Sequence, residues 1–527
     1  MVFHGGWRQR GWALGAILAG LAIGQATPGT AKVVVSPIFG SHMVLQRDAV
    51  DPVWGTAAPG EKVAVLIDGQ RVQTRADGQG KWIVKLAPLH SQGPFVLTIQ
   101  GKNTIRLHDV LVGEVWLCSG QSNMQYPLYG WTAGGHRKAT VARANYPWVR
   151  FFRVTSGAVM APLANIQGKW QVCTPKTAAP FSAVAYYFAR DLGRKLHEPV
   201  GVIGSYAGGT IIDGWMSMDS FKDPAFAPIL RHWHNTINRI DKKWAAWTLA
   251  RRQWNMHPRP AGAKRPSKAF HVWPPAHWAG WPAELYDGMI GPLIPFRIKG
   301  AIWYQGESDA FRAYQYRKLL PAMIRGWRRH WGEGKLPFLI VQLPNVNNAM
   351  PQPGACDWAE LREAQMMACK SVSNTFPVVT IDVAPAKNAN IHYWQKGPVG
   401  QRLAWAAEAN VYGIKRPWCG PIYKAMQIQG QAIVLSFTHL GGGLIARGGG
   451  VLTGFAIAGK NKKFVWAKAV IRGDTVVVQS AKVAHPVAVR YAWDYNPKCN
   501  LINRHGLPAS PFRTDDWPGI TVKVDHP

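Results

Sequence analysis

The chain has 527 residues, 47% of them apolar and 17% charged, which excludes a disordered polymer and leaves room for more than one core. Its 61 basic against 28 acidic residues give a net charge of +33. The basic residues fall in short clusters such as Arg251-Arg252 and Arg328-Arg329, without a long basic tail or a zinc-finger spacing, so a specific nucleic-acid partner is not expected.

The first 31 residues read as a secretory signal. His4, Arg8 and Arg10 give a basic start, Trp12 to Ile23 an apolar run, and small residues follow around Ala26 and Ala31. The run is short for a membrane span, so the expectation is a periplasmic or secreted protein with no stable membrane insertion after cleavage. Six cysteines permit disulfides in that setting, but their sparse spacing shows no framework. Neither CxxC nor HExxH occurs, so a metal site has no sequence support.

Residues 32–109 read as a β domain. Apolar runs such as Val63–Ile67 and Phe95–Ile99 are separated by the turn signals Pro59-Gly60, Asp68-Gly69 and Asp77-Gly78. Residues 110–416 change character. Runs at Val112–Leu117, Val200–Ser205, Gly300–Tyr304, Pro337–Gln342 and Phe376–Asp382 look like buried parallel strands, with helical patterns such as Ala183–Leu196 and Tyr314–Trp331 between them. This predicts an α/β layer built on a five-stranded parallel sheet. The stretch 241–281, rich in Trp, Pro and basic residues, reads as an insertion. From 417 to 527 β signals return, among them Ala432–Phe437 and Val487–Tyr491, and predict a second β domain. Many of the 26 Trp are expected in cores, although aromatic surfaces also suit sugar faces.

In an open parallel sheet, ligands bind beyond the carboxyl ends of the strands. The first predicted strand is followed by Gly120-Gln121-Ser122-Asn123-Met124, the second by Gly208-Gly209-Thr210 and the third by Gln305-Gly306-Glu307-Ser308-Asp309. His392 lies beyond the fifth. A serine, a glycine pair, a polar turn and a histidine on one rim are the parts of an acyl-transfer site, a chemistry that calls for no organic cofactor. Serine needs a base to become a nucleophile, histidine titrates near neutrality, and backbone N–H groups beside glycine can reach a developing oxyanion.

The string Glu114–Met124, with Trp303-Tyr304-Gln305-Gly306-Glu307-Ser308, resembles the sialate O-acetylesterase family of SGNH-type hydrolases. Similar strings extend along nearly the whole chain past the leader, from His42-Met43-Val44-Leu45-Gln46-Arg47 to Pro511-Phe512-Arg513-Thr514-Asp515. The resemblance implies a three-layer α/β/α hydrolase domain flanked by the two β units. It implies Ser122 as nucleophile, His392 as base, and an oxyanion hole from Ser122, Gly208 or Gly209, and Gln305. It also implies an O-acetylated carbohydrate as substrate: sialic acid esters first, acetyl-xylan or another plant polysaccharide as the alternative. Gln121, Asn123, Glu307, Asp309 and Arg362 are candidate cleft residues.

The family usually carries an acid two positions before the histidine, and here that position is Asn390. Three arrangements are open: Asn390 holding the imidazole through its amide oxygen, Asp382 reaching from the strand end, or a Ser-His dyad oriented by a backbone carbonyl. The same departure keeps open a different class, a carbohydrate-binding protein with impaired turnover.

Overall fold

The computed structural model describes residues 32–131, 135–256 and 281–527. The expected leader and residues 257–280 of the expected insertion lie outside the described residues. The N-terminal β region is built from short antiparallel pairings, with Val44–Gln46 added in parallel against Leu111–Gly113. Asp68 and Gly69, both at positive φ, close the two-residue turn between Lys62–Ile67 and Gln70–Arg75, a conformation suited to the twist of a hairpin.

One strand carries the chain from this region into the central sheet. Thr104–Gly120 spans 17 residues; its first part alternates exposed and half-buried side chains, and from Val110 every residue is buried. The change follows its neighbours. Its first part pairs with Phe95–Gln100 at a surface, whereas its end lies between Val200–Tyr206 and Gly300–Tyr304. That sandwiched position explains the unbroken apolar run.

The five predicted parallel strands are present, the last ending early as Thr375–Val378. The sheet is nevertheless larger than expected. Tyr146–Val154 adds a sixth parallel strand beside Val200–Tyr206, and Gly168–Cys173 pairs antiparallel at the edge. The sixth strand was hidden by Arg150 in its middle. Arg150 is buried because Asp109 takes its guanidinium in two hydrogen bonds, at 2.6 and 3.1 Å.

Strand alternation gives the sheet two apolar faces. Trp116, Cys118, Ile302, Tyr304, Leu339 and Val341 pack in one cluster with the helices Ala183–Leu196 and Gly397–Asn410. Their strand neighbours Val115, Leu117, Ala301, Trp303, Phe338 and Ile340 pack in the other with Ala313–Trp331 and Asp357–Ser371. A third core lies in the C-terminal β unit, whose first strand is Ile422–Gln429.

Arg362 fastens this last unit to the sheet. It is fully buried, and its guanidinium donates to the carbonyls of Leu343, Pro344, Asp494 and Tyr495 and to Asn345 Oδ1. All six cysteines are free thiols, so the disulfides that an exported chain permits are absent. No helix of the described residues is long and apolar enough to cross a membrane.

Candidate active site

The site begins with two glycines at strand ends. Gly120 closes its strand at φ +134, and a Cβ there would lie 2.1 Å from the Tyr304 carbonyl oxygen. Gly306 has φ +140, and a Cβ there would meet Leu361 at 2.4 Å. Side chains other than glycine rarely adopt such angles, and neither position has room for one. The two turns therefore close against each other: the Gln121 N–H donates to the Tyr304 carbonyl at 3.0 Å, and the Gly306 N–H to Gln121 Oε1 at 3.1 Å.

This packing presents Ser122 at the first position of the short helix Ser122–Gln125, where its N–H has no intrahelical acceptor. His392 reaches it from 270 positions away in sequence: Nε2 lies 2.8 Å from Ser122 Oγ, within proton-transfer range. Trp131 meets the imidazole edge-to-face at 4.8 Å between ring centroids. Burial, with the positive charge of Lys396 added, holds the His392 pKa below the ordinary histidine value.

The expected orienters of the ring are elsewhere. Asn390 Oδ1 accepts the backbone N–H of His392 at 2.8 Å, so it fixes the main chain and not the imidazole. Asp382 is held by Arg402, at 2.6 and 2.8 Å, and by Arg447 at 2.5 Å. Two guanidiniums occupy both its oxygens, which corrects the expectation that it reaches the histidine. Among the described residues, no carboxylate hydrogen-bonds the His392 ring.

Two of the four expected oxyanion donors, Gln305 and Gly208, are engaged within the fold. Gln305 is fully buried; its amide donates to the Thr210 carbonyl at 3.0 Å and to Asp309 Oδ2 at 2.5 Å, and its oxygen accepts from Tyr316. With both N–H groups engaged it has no donor for a substrate. The Gly208 N–H is likewise taken, by Gln125 Oε1 at 2.8 Å. Gly209, at φ +75, forms no backbone N–H hydrogen bond among the described residues. Gly208 stands directly beside Ser122, since a Cβ on it would come within 3.4 Å of Ser122 Cβ.

Of the candidate cleft residues, four are buried behind the surface. Gln121 ties the two turns together, Asp309 accepts from Ile212 N and pairs with Arg312, and Arg362 is the fastening described above. Asn123 donates to Glu307 Oε1 and to the Ile391 carbonyl. Burial raises the Glu307 pKa against the opposing hydrogen bond from Asn123.

Lys396, which the sequence reading passed over, completes this group: its ammonium donates to Asn123 Oδ1 at 2.5 Å, and burial pushes its pKa down to about 7 although Glu307 opposes the shift. Its signal was faint, a single cation ahead of the apolar helix Gly397–Asn410, which reads as a solvated residue. Among the described residues no group of three metal-ligating side chains is gathered. A cleft of about 650 Å³ opens beside Gly208, lined also by Gln125, Arg153, Tyr206, Leu285 and Met289.

A family profile described as carbohydrate esterase, sialic acid-specific acetylesterase, matches residues 276–408. A carbohydrate acetylesterase of known structure from Xanthomonas citri is 37% identical, with a TM-score of 0.77 over 92% of this chain and 100% of its own. These similarities define a carboxylic ester hydrolase of the carbohydrate acetylesterase class. The sialate O-acetylesterase of Rattus norvegicus is 30% identical over 439 residues, 76% of this chain and 77% of that protein. The Homo sapiens sialate O-acetylesterase is 27% identical over 92% of this chain and 93% of its own. The chain belongs to the sialate O-acetylesterase family.

Proposed function

We propose that the chain is a serine esterase that removes acetyl groups from O-acetylated carbohydrate through Ser122 and His392. The observation that carries this reading is the 2.8 Å contact between His392 Nε2 and Ser122 Oγ. Ser122 Oγ attacks the acetyl carbonyl while His392 takes its proton. The tetrahedral oxyanion is met by the N–H groups of Ser122 and Gly209. His392 then returns the proton to the departing sugar oxygen, leaving an acetyl-enzyme. Water, deprotonated by the same imidazole, releases acetate and restores the hydroxyl.

The reading extends to organisation and setting. The central unit at 110–416, with helices on both sheet faces, is an SGNH-like three-layer domain, flanked by β units at 32–109 and 417–527. The sequence of residues 1–31 favours export to the periplasm or beyond. The cleft beside Gly208 is in the size range of small-molecule sites, and Arg153 at its wall favours an anionic sugar such as a sialate over a neutral polysaccharide.

Hydrolysis of p-nitrophenyl acetate by the wild type and Ser122→Ala tests the chemistry. A fall of about 10³-fold or more is expected, and equal rates overturn the assignment. Acetate release from O-acetyl sialic acids and from acetylated xylo-oligosaccharides tests the sugar.

A further inference from the structure

We propose that Lys396 is a positioning residue of the esterase. Its ammonium, through Asn123, fixes the turn bearing Ser122 against the loop bearing His392, in a site where no carboxylate among the described residues hydrogen-bonds the imidazole. The inference rests on the assignment of Ser122 and His392 above.

The geometry is a three-way clamp. Asn123 follows the nucleophile and is fully buried. Its Nδ2 donates to the carbonyl of Ile391, which precedes His392, at 3.0 Å and to Glu307 Oε1 at 2.5 Å. Its Oδ1 accepts from Lys396 Nζ at 2.5 Å. The amide plane is thus set from both ends. If it turned over, its NH₂ would face the ammonium and its oxygen would face a carbonyl and a carboxylate. Lys396 therefore dictates which way Asn123 points, and Asn123 fixes the spacing between the two turns.

Lys396 is itself held tightly. It lies at the start of the helix Gly397–Asn410, and its ammonium stands 5.2 Å from the ring centroid of Tyr126 and 5.6 Å from that of Tyr304. Cations are favoured at such aromatic faces, above all where water is excluded. The charged groups that face it are few. Glu307 comes from the turn after Gly300–Tyr304, with one oxygen buried and unpartnered. Asp309 lies behind Glu307 and is paired with Arg312, while Arg362 acts on Tyr304 from the helix Asp357–Ser371. His392 lies on the other side, where the same ammonium lowers its proton affinity.

A lysine kept merely for packing would change stability without touching the chemistry. Steady-state kinetics of Lys396→Met with p-nitrophenyl acetate separates the two. The expected result is a fall in kcat of about ten-fold or more with KM within about two-fold, since misplacement acts on the reacting geometry. The acid limb of the kcat/KM profile should also move up by about half a pH unit or more, because the histidine loses a neighbouring cation.

A kcat within about three-fold of wild type, or a loss of folded protein alone with an unmoved acid limb, overturns the proposal. Should Lys396→Met not fold, Asn123→Asp supplies the test. It keeps the size and the acceptor for Lys396 but loses the donors to Ile391 and Glu307, so kcat should fall by a similar factor; a wild-type kcat overturns the proposal. Ser122→Ala serves as reference. If the wild type does not exceed it, the esterase reading itself fails; if only Lys396→Met is unaffected, this inference alone fails.

Discussion

The side chain of Asn123 is hydrogen-bonded to the main-chain carbonyl of Ile391, so the residue after Ser122 is joined to the residue before His392. The Ser122–His392 distance is consequently governed by main-chain anchors. Asn390 adds a second one by accepting the His392 N–H. This differs from a triad in which a carboxylate grips the far ring nitrogen.

Asn390→Ala therefore removes an anchor of the loop and leaves the tautomer chemistry alone. A fall in kcat of roughly ten-fold is expected, far below the ~10⁴ that follows loss of a triad acid. Steady-state kinetics checks it, and a loss near the triad value would mean that Asn390 contacts the ring during turnover.

The pH dependence follows from the environment of the imidazole. Burial and the Lys396 charge both disfavour the protonated ring, so the His392 pKa lies below the ordinary value near ~6.5. A general base works when unprotonated. Activity should then rise with pH through an apparent pKa below ~6.5 as the ring loses its proton. A kcat/KM profile between pH 4 and 8 gives the limb directly; an inflection above ~7 would contradict the surroundings seen here.

Gln305 illustrates what could and could not be read from the chain. Five of the parallel strands were legible because buried parallel strands write continuous apolar runs. The site's rim was legible because polar and glycine residues follow each run. The role of Gln305 was not, since it depends on Thr210 and Asp309, whose positions only the fold brings to its two N–H groups. The same holds for Arg150, hidden by a partner at Asp109, and for Lys396, whose burial no local pattern announces. Polar residues that are satisfied at long range look identical in sequence to polar residues that face solvent.

For Gln305 the consequence is measurable. Gln305→Ala leaves the buried Thr210 carbonyl without its donor and removes the Oε1 acceptor of the buried Tyr316 hydroxyl, while Asp309 keeps the Ile212 N–H and Arg312, and each lost buried partner costs about 1–3 kcal/mol. Thermal unfolding should shift downward by an amount of that order. Had Gln305 been a free oxyanion donor, the variant would instead keep its stability and lose about 10²–10³ in kcat.

Asp382 provides the sharpest contrast with the expected triad. Burial alone would raise its pKa, but the hydrogen bonds and charges of Arg402 and Arg447 outweigh it and hold the carboxyl below the usual range. A carboxylate so depressed contributes stability that is present above its unfolded value near ~3.9 and is lost as the pH falls through its folded value. Asp382→Asn should therefore destabilise the protein at pH 7 by roughly 2 kcal/mol. That figure is discounted from the larger cost of breaking a fully buried pair because Arg447 is 42% exposed. The difference from wild type should begin to shrink below about pH 4, where the unfolded chain takes up the proton first, and should vanish only once the pH has fallen through the lower folded value. Activity at 25 °C should stay within a few-fold of wild type, as no atom of Asp382 touches the imidazole. Denaturant titrations at pH 7 and pH 3.5, with kinetics on the same preparation, read both quantities. A loss of activity near 10⁴ with unchanged stability would return Asp382 to the place of a triad acid and refute the arrangement described here.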